Sequence, residues 1–325
     1  MNVIAPSSAV ANPVRVWSPQ QSAFILWAVE GRGSCVLEAV AGAGKTTTLL
    51  EAAQRMPGQV AILAYNKDIG IELKAKLDAL GVSWKKVQAG TVHSFGFKAM
   101  VKQFKSDVVP DKVRDLCDAN YEEGTTEYIY RTSIMKLVSM AKNRAVGLID
   151  SIDDTQAWLD IIETYDIIDS EDGTEAPVDV IIAAARAILV LSNKLVAKID
   201  YDDMVYLPLI HKVRMWRFDN VIMDEAQDTN PVRRLFVRAI LQPRGRAIFV
   251  GDSRQGIYMF TGADNGAMDI CATDFNARRM PLTITYRCPK AVVRFAHQWV
   301  SHIEAAATAP EGAVVTRSLE AVLAN

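Results

Sequence analysis

The sequence predicts an α/β fold built on a parallel sheet, and three observations predict it. Short apolar runs at 34–40, 59–65, 219–223 and 246–250 are each long enough for a buried strand and too short for a helix. Helix-compatible segments at 45–54 and 67–80 follow the first two runs, and Ile71, Leu73, Leu77 and Leu80 fall close to helical spacing. Small residues close the first run and acidic or Gly-Asp clusters close the last two, and open parallel sheets carry their ligand sites at those strand ends.

Between 97 and 199 the pattern changes to helical segments separated by polar breaks at 122–125 and 170–176, which predicts an all-helical insertion. From Pro281 a short strand-like run, LTITYR, leads into a helix near Pro289, as at the opening of another domain. The expected division is therefore 1–96 and 200–280 as two parts of one sheet domain, 97–199 as the insertion, and 281–325 as the start of a second domain. A chain of 325 residues suits such a division, because single cores stop growing near ~250 residues.

Composition excludes several classes. Half the residues are apolar and 23% are charged, which fits a globular protein rather than a disordered or fibrous one. Lys plus Arg number 36 against 38 Asp plus Glu, a formal charge of −2, so any nucleic-acid contact must come from a local groove. Cys35, Cys117, Cys271 and Cys288 form no metal-ligand spacing and read as reduced thiols. The apolar stretch 181–190 is broken by Arg186 and falls short of the ~20 residues of a membrane span, and residues 1–17 lack a signal pattern. The expected address is cytoplasmic, with no membrane partner.

The sharpest local signal is Ala39-Val40-Ala41-Gly42-Ala43-Gly44-Lys45-Thr46, strand before and helix after. Small residues at Gly42, Ala43 and Gly44 let backbone N–H groups approach phosphates, and a helix N-terminus favours the anion. Lys45 is placed for the β/γ-phosphates and Thr46 for Mg²⁺. Val221-Ile222-Met223-Asp224-Glu225 supplies the complement, an apolar strand ending in two acids: Asp224 as a metal ligand and Glu225 as the group that polarises attacking water.

Asp224-Glu225-Ala226-Gln227-Asp228-Thr229-Asn230 resembles the DExQDTN signature of UvrD/Rep-type superfamily 1 DNA helicases. The segment 251–263, GDSRQGIYMFTGA, is similar to their motif III. The resemblance implies that Gln255 contacts the γ-phosphate while Tyr258 and Phe260 lie against DNA bases, where stacking contributes about 1–3 kcal/mol per base. Ser18-Pro19-Gln20-Gln21 resembles the Q motif, with Gln21 on the adenine edge. Thr285-Tyr286-Arg287 resembles motif IV, with Tyr286 stacking on adenine and Arg287 reaching the γ-phosphate. Tyr65-Asn66-Lys67 and Thr91-Val92-His93-Ser94-Phe95 resemble motif Ia and the element after it, which makes Tyr65, Asn66, Thr91 and His93 candidate DNA contacts. Asp200-Tyr201-Asp202-Asp203-Met204 is similar to the family's DFDDL segment and is read as a helix start.

The resemblance thus implies a RecA-like P-loop NTPase domain with the start of a second RecA-like domain. Its expected catalytic set is Lys45, Asp224, Glu225, Gln255 and Arg287. The expected nucleotide contacts are Gln21, Gly42, Ala43, Gly44, Lys45, Thr46, Thr47, Tyr286 and Arg287, with ATP and Mg²⁺ as cofactors. The implied activity is ATP-driven movement on single-stranded DNA in the 3′ to 5′ direction. Bland readings stand beside these: Tyr258, Phe260 and His93 as packing residues, Gln21 and Arg287 as solvated surface.

Three positions depart from the pattern: Thr261 replaces an arginine, Phe260 a tryptophan, and Arg233 a glutamine. Nothing after Arg287 resembles motifs V and VI, so a missing C-terminal half or a partner chain is expected to supply them. The alternatives are an ATP- and DNA-binding fragment or regulatory module without autonomous hydrolysis, and a non-helicase ATPase subunit acting on protein partners.

Overall fold

The computed structural model describes residues 15–168, 177–256, 263–264 and 266–315. Its centre is a six-stranded sheet of β1 (Cys35–Ala39), β2 (Val60–Ala64), β3 (Val87–Thr91), β6 (Phe218–Met223), β7 (Leu241–Gly251) and β8 (Arg278–Leu282). The spatial order is β3-β2-β6-β7-β1-β8, and every neighbouring pair is parallel. All their C-terminal ends therefore lie at one rim. The helices α1 (Pro19–Glu30), α2 (Lys45–Arg55), α3 (Lys67–Ala79), α4 (Val92–Phe104), α10 (Asp203–Ile210), α11 (Pro231–Ile240) and α12 (Ala267–Asp274) cover the two faces.

Period-two alternation divides the central strands between two cores. Val36, Ala61, Leu63, Val221, Met223, Ala247 and Phe249 join α4, α10 and α11 on one face. Their immediate neighbours Cys35, Leu37, Val60, Ile62, Ile222, Ile248 and Val250 join α1, α2 and α3 on the other. Both sets are buried, which is why these strands read as unbroken apolar runs. Each fully buried aliphatic side chain contributes about 1.5–3 kcal/mol by leaving water. At Gly96 in α4 the packing is closest, because a Cβ there would collide with the Met204 carbonyl of α10.

Caps decide where the rim helices begin. Ser18 and Gln21 form a capping box at α1, while Asn66, Thr91 and Asn230 each accept a backbone N–H at the start of α3, α4 and α11. The 96/97 boundary expected from the sequence falls inside α4, and the 280/281 boundary falls inside β8. Pro281 and Leu282 thus complete the main sheet, and the Leu282 carbonyl accepts the Val40 N–H at 3.0 Å.

The insertion comprises α5 (Lys112–Asn120), α6 (Thr126–Ile129), α7 (Arg131–Asn143), α8 (Thr155–Tyr165) and α9 (Val178–Lys194). It is helical apart from a parallel pair at its base, β4 (Asp107–Val108) with β5 (Lys198–Ile199). The break at 170–176 lies outside the described residues. Beyond β8, α13 (Lys290–Ala296) connects β9 (Ile284–Thr285) to β10 (Glu304–Ala305), which pair in parallel with each other and not with the main sheet. No helix among the described residues is long and apolar enough to cross a membrane.

Two lysines are buried where the insertion meets the sheet domain. Lys142 on α7 contacts Asp200 at 2.6 Å and Asp203 at 2.7 Å, and Lys112 on α5 contacts Asp203 at 2.6 Å. Asp200 and Asp203 also accept each other's backbone N–H, so the segment read as a helix start is one, and it holds this ion cluster besides.

Candidate nucleotide site at the strand ends

The loop after β1 turns through two left-handed glycines, Gly42 at φ 75° and Gly44 at φ 77°, before α2 begins at Lys45. Only glycine takes that conformation without strain. Gly42 also lies under the segment after β9: a Cβ there would press on the Arg287 Cβ and the Thr285 hydroxyl, and its carbonyl accepts the Tyr286 N–H at 2.9 Å. The first turn of α2 carries Thr46 and Thr47. Thr48, one position on, turns its hydroxyl back to the Gly44 carbonyl at 3.0 Å.

Gln21 is buried and ties three elements together. Its amide nitrogen donates to the Ala43 carbonyl at 3.3 Å and to the Thr48 hydroxyl at 3.0 Å. Its amide oxygen accepts from the Ser18 N–H at 3.0 Å and the Tyr286 hydroxyl at 3.4 Å. The Tyr286 ring is half exposed beside it, and Arg287 presents a guanidinium that makes no ion pair among the described residues. Gln20, passed over in the sequence, accepts the Thr283 N–H at 2.7 Å and so anchors the chain between β8 and β9.

Across the rim, the Lys45 ammonium meets the Glu225 carboxylate at 2.9 Å. Glu225 adopts φ 50°, a left-handed conformation uncommon for a residue with a side chain and often found where function requires it. Its carboxylate also accepts from Gln227 at 2.9 Å, and the Gln227 carbonyl oxygen accepts the Asp252 N–H at 3.2 Å. Asp252 in turn accepts from the Gln255 amide at 2.5 Å. A continuous relay therefore runs Lys45–Glu225–Gln227–Asp252–Gln255. Gln227 is its central member, and it stood inside the quoted DEAQD motif without an assigned role.

Asp224 is buried at the end of β6 and accepts the Glu225 N–H at 3.0 Å. Burial, then the adjacent Glu225, push its carboxyl up to about 6, against the pull of Lys45. Adjacent carboxylates in a cleft offer the oxygen ligands a divalent cation takes, and Asp224 with Thr46 would hold Mg²⁺ there. A carboxyl in an unfolded chain titrates near about 3.9. Native Asp224 thus holds its proton more tightly than the unfolded chain, so stability falls as pH rises from about 4 to about 6, and the whole cost stands at neutral pH. Asp224→Asn is expected to raise stability at pH 8 by about 1–3 kcal/mol, several degrees in the thermal midpoint. A midpoint unchanged or lowered at pH 8 would contradict this.

The remaining candidates lie along the same rim, at the ends of β2 and β3. Asn66 and Thr91 spend a side-chain oxygen on capping, accepting from Ile69 at 2.9 Å and Ser94 at 3.1 Å. His93 is held neutral: burial and the nearby Arg233 pull its pKa to about 4, against Asp202. Tyr65 lies under the Arg233 guanidinium at 5.5 Å, and Tyr65, His93, Asp224, Glu225 and Arg233 line one narrow cleft. Arg233, read from the sequence as a departure from pattern, is therefore part of the site. Glu38 is a further residue that sequence reasoning missed. One of its oxygens accepts the Ser253 N–H at 2.8 Å, and the other is buried without a hydrogen-bond partner among the described residues. Its signal was an acid in an otherwise apolar strand. Tyr258, Phe260 and Thr261 lie outside the described residues.

Comparison with known proteins identifies the family. A model of the UvrD/REP helicase N-terminal domain matches residues 17–276. The chain is 23% identical over 302 residues to a probable DNA helicase II homolog of Mycoplasma pneumoniae, covering 86% of this chain and 42% of that protein. It is 21% identical to the ATP-dependent DNA helicase Rep of Buchnera aphidicola, covering 83% of this chain and 41% of the relative. For the ATP-dependent DNA helicase UvrD2 of Mycobacterium tuberculosis the figures are 24%, 83% and 41%. The chain spans about four-tenths of the length of these relatives. With most of its length matched and the phosphate loop facing the paired acids across a parallel sheet, the chain belongs to the UvrD/REP helicase family through that family's N-terminal domain.

Proposed function

We propose that this chain binds ATP at the strand-end rim and contributes its hydrolysis to 3′ to 5′ movement on single-stranded DNA. The observation that carries the reading is the Lys45–Glu225 contact beside Asp224, linked through Gln227 and Asp252 to Gln255. Entry of a triphosphate draws Lys45 to the β/γ-oxygens and leaves Glu225 without its ammonium. The freed carboxylate then takes a proton from the attacking water as the new P–O bond forms and the bond to ADP breaks. Bound Mg²⁺ supplies charge neutralisation of the phosphates. Gln227, bonded to both Glu225 and the Asp252 backbone, carries the change at Glu225 toward the motif III loop and its candidate DNA residues Tyr258 and Phe260. Tyr286 and Gln21 receive the base, and Arg287 is free to meet the γ-phosphate. Tyr65, Asn66, Thr91 and His93 occupy the rim on which a DNA strand would run.

The test is ATP turnover with and without single-stranded DNA, beside Lys45→Ala. Turnover stimulated by DNA and reduced at least ~10²-fold in Lys45→Ala is expected, since a charge-stabilising contact to the transferred phosphoryl group is lost. Equal turnover in all samples would discard the enzyme reading. Nucleotide binding without turnover in the unmodified chain would assign it a binding role instead.

A further inference from the structure

At the opposite end of the sheet from the nucleotide rim, two cavities adjoin along the loop between α10 and β6. The larger, about 750 Å³, has an apolar lining of Pro208, Leu209, Val213, Met215 and Ala239. The smaller, about 320 Å³, is lined by Phe95, Ala99, Phe218 and Ile240. Arg214, Met215 and Trp216 line both, so the two form one groove. Trp216 is 64% exposed, with its indole N–H held by the Gln59 side chain at 3.1 Å.

Five cations edge this groove: Lys212, Arg214 and Arg217 on the larger part, Lys98 and Lys102 on the smaller. Among the described residues that line it, none is acidic. Among the described residues none of the five forms an ion pair. The nearby Asp219 accepts the Gln59 N–H at 2.7 Å and acts on Lys86, outside the lining. Lys98 lies over the Phe95 ring at 5.5 Å. In a chain whose net charge is −2, five cations without a carboxylate partner around one apolar groove are a local concentration of positive charge.

We propose that this groove docks a segment of a protein partner that carries both carboxylates and large apolar side chains. The cations complement the carboxylates, and the apolar lining takes a Phe- or Leu-sized side chain. The exposed Trp216 at the junction is the type of residue on which such binding concentrates. A nucleic-acid strand matches the cations equally well, but its phosphates have no favourable place against Pro208, Leu209 and Val213, where an apolar side chain does. The inference is independent of the nucleotide reading, and so is its test.

The experiment is fluorescence anisotropy with a labelled dodecapeptide alternating aspartate pairs with Phe and Leu. It is run on the unmodified chain, on Trp216→Ala and on the double variant Lys212→Glu, Arg214→Glu. Saturable binding at micromolar concentration is expected, weakened at least tenfold in each variant with the thermal midpoint and circular dichroism spectrum unchanged. An all-glutamate peptide of equal charge is expected to bind at least tenfold more weakly. The proposal is overturned by absence of saturable binding, by equal binding of the all-glutamate peptide, or by insensitivity to Trp216→Ala. It is also overturned if labelled oligothymidylate displaces the peptide and itself loses more affinity than the peptide in Trp216→Ala.

Discussion

Glu225→Gln is expected to reduce ATP turnover by about 10²–10⁴-fold, the usual contribution of a positioned general base, while leaving Mg²⁺·ATP affinity within a few fold. The amide has the size and the acceptor oxygen to keep the contacts with Lys45 and Gln227, so the site remains assembled. What it lacks is the basicity to take the water proton. Loss confined to kcat would separate chemistry from binding, because an interaction made only in the transition state lowers kcat without raising KM. Steady-state turnover beside a fluorescent-nucleotide titration measures both. Turnover within about threefold of the unmodified chain would remove Glu225 from the mechanism.

Lys142→Ala is expected to destabilise the protein by about 3–5 kcal/mol, the range for breaking a buried ion pair from one side. Lys142 and Asp203 are essentially inaccessible to solvent. Burial alone pulls the Lys142 pKa down, but Asp203, Asp200 and Asp202 together hold it above the ordinary lysine value. Its contribution is therefore fully present below the unfolded lysine pKa and is lost only as pH rises through the still higher folded value. Without the Lys142 ammonium, the buried Asp200 and Asp203 keep Lys112 as their one nearby ammonium, and one carboxyl must take up a proton to remain buried. The loss is accordingly expected to shrink between pH 8 and pH 5, read from denaturant midpoints by circular dichroism. A loss under about 1 kcal/mol, or one equal at both pH values, would show that the cluster is not a buried ionic one.

The same helix end links stability to the site. Next to Lys142, Asn143 donates to Asp202 at 3.1 Å and accepts from Asn230 at 2.8 Å. Arg144 reaches Asp264, just beyond the motif III loop, at 3.0 Å, and Arg234 on α11 also contacts Asp264. Three consecutive residues at the C-terminal end of α7, Lys142, Asn143 and the capping Arg144, thus join the insertion to the segments that follow Asp224 and Gln255. A loosened cluster is expected to disturb both.

Legibility in the sequence followed burial. β1, β2, β6 and the second half of β7 lie inside the sheet with both faces covered, so most of their residues had reason to be apolar and the strands could be read directly. β3 and β8 are the two edges. Only Val87 is buried in β3 and only Leu282 in β8, and Pro281 is tolerated there because an edge strand has one unpaired side. Neither showed the apolar run that would have marked it.

A phosphate loop and a strand ending in two acids require particular residue types at fixed local spacing, so the proposed chemistry of the rim could be read from the chain before its fold was known. Lys45, Asp224 and Glu225 were legible for that reason, and so was the parallel sheet that brings them together. Only the tertiary structure decided that Gln227 connects Glu225 to Asp252, that Arg233 lines the cleft, and that Lys112 and Lys142 are buried rather than solvated. Those facts depend on contacts between segments far apart in the chain, and a polar side chain's local sequence carries no record of the partner that folding brings to it.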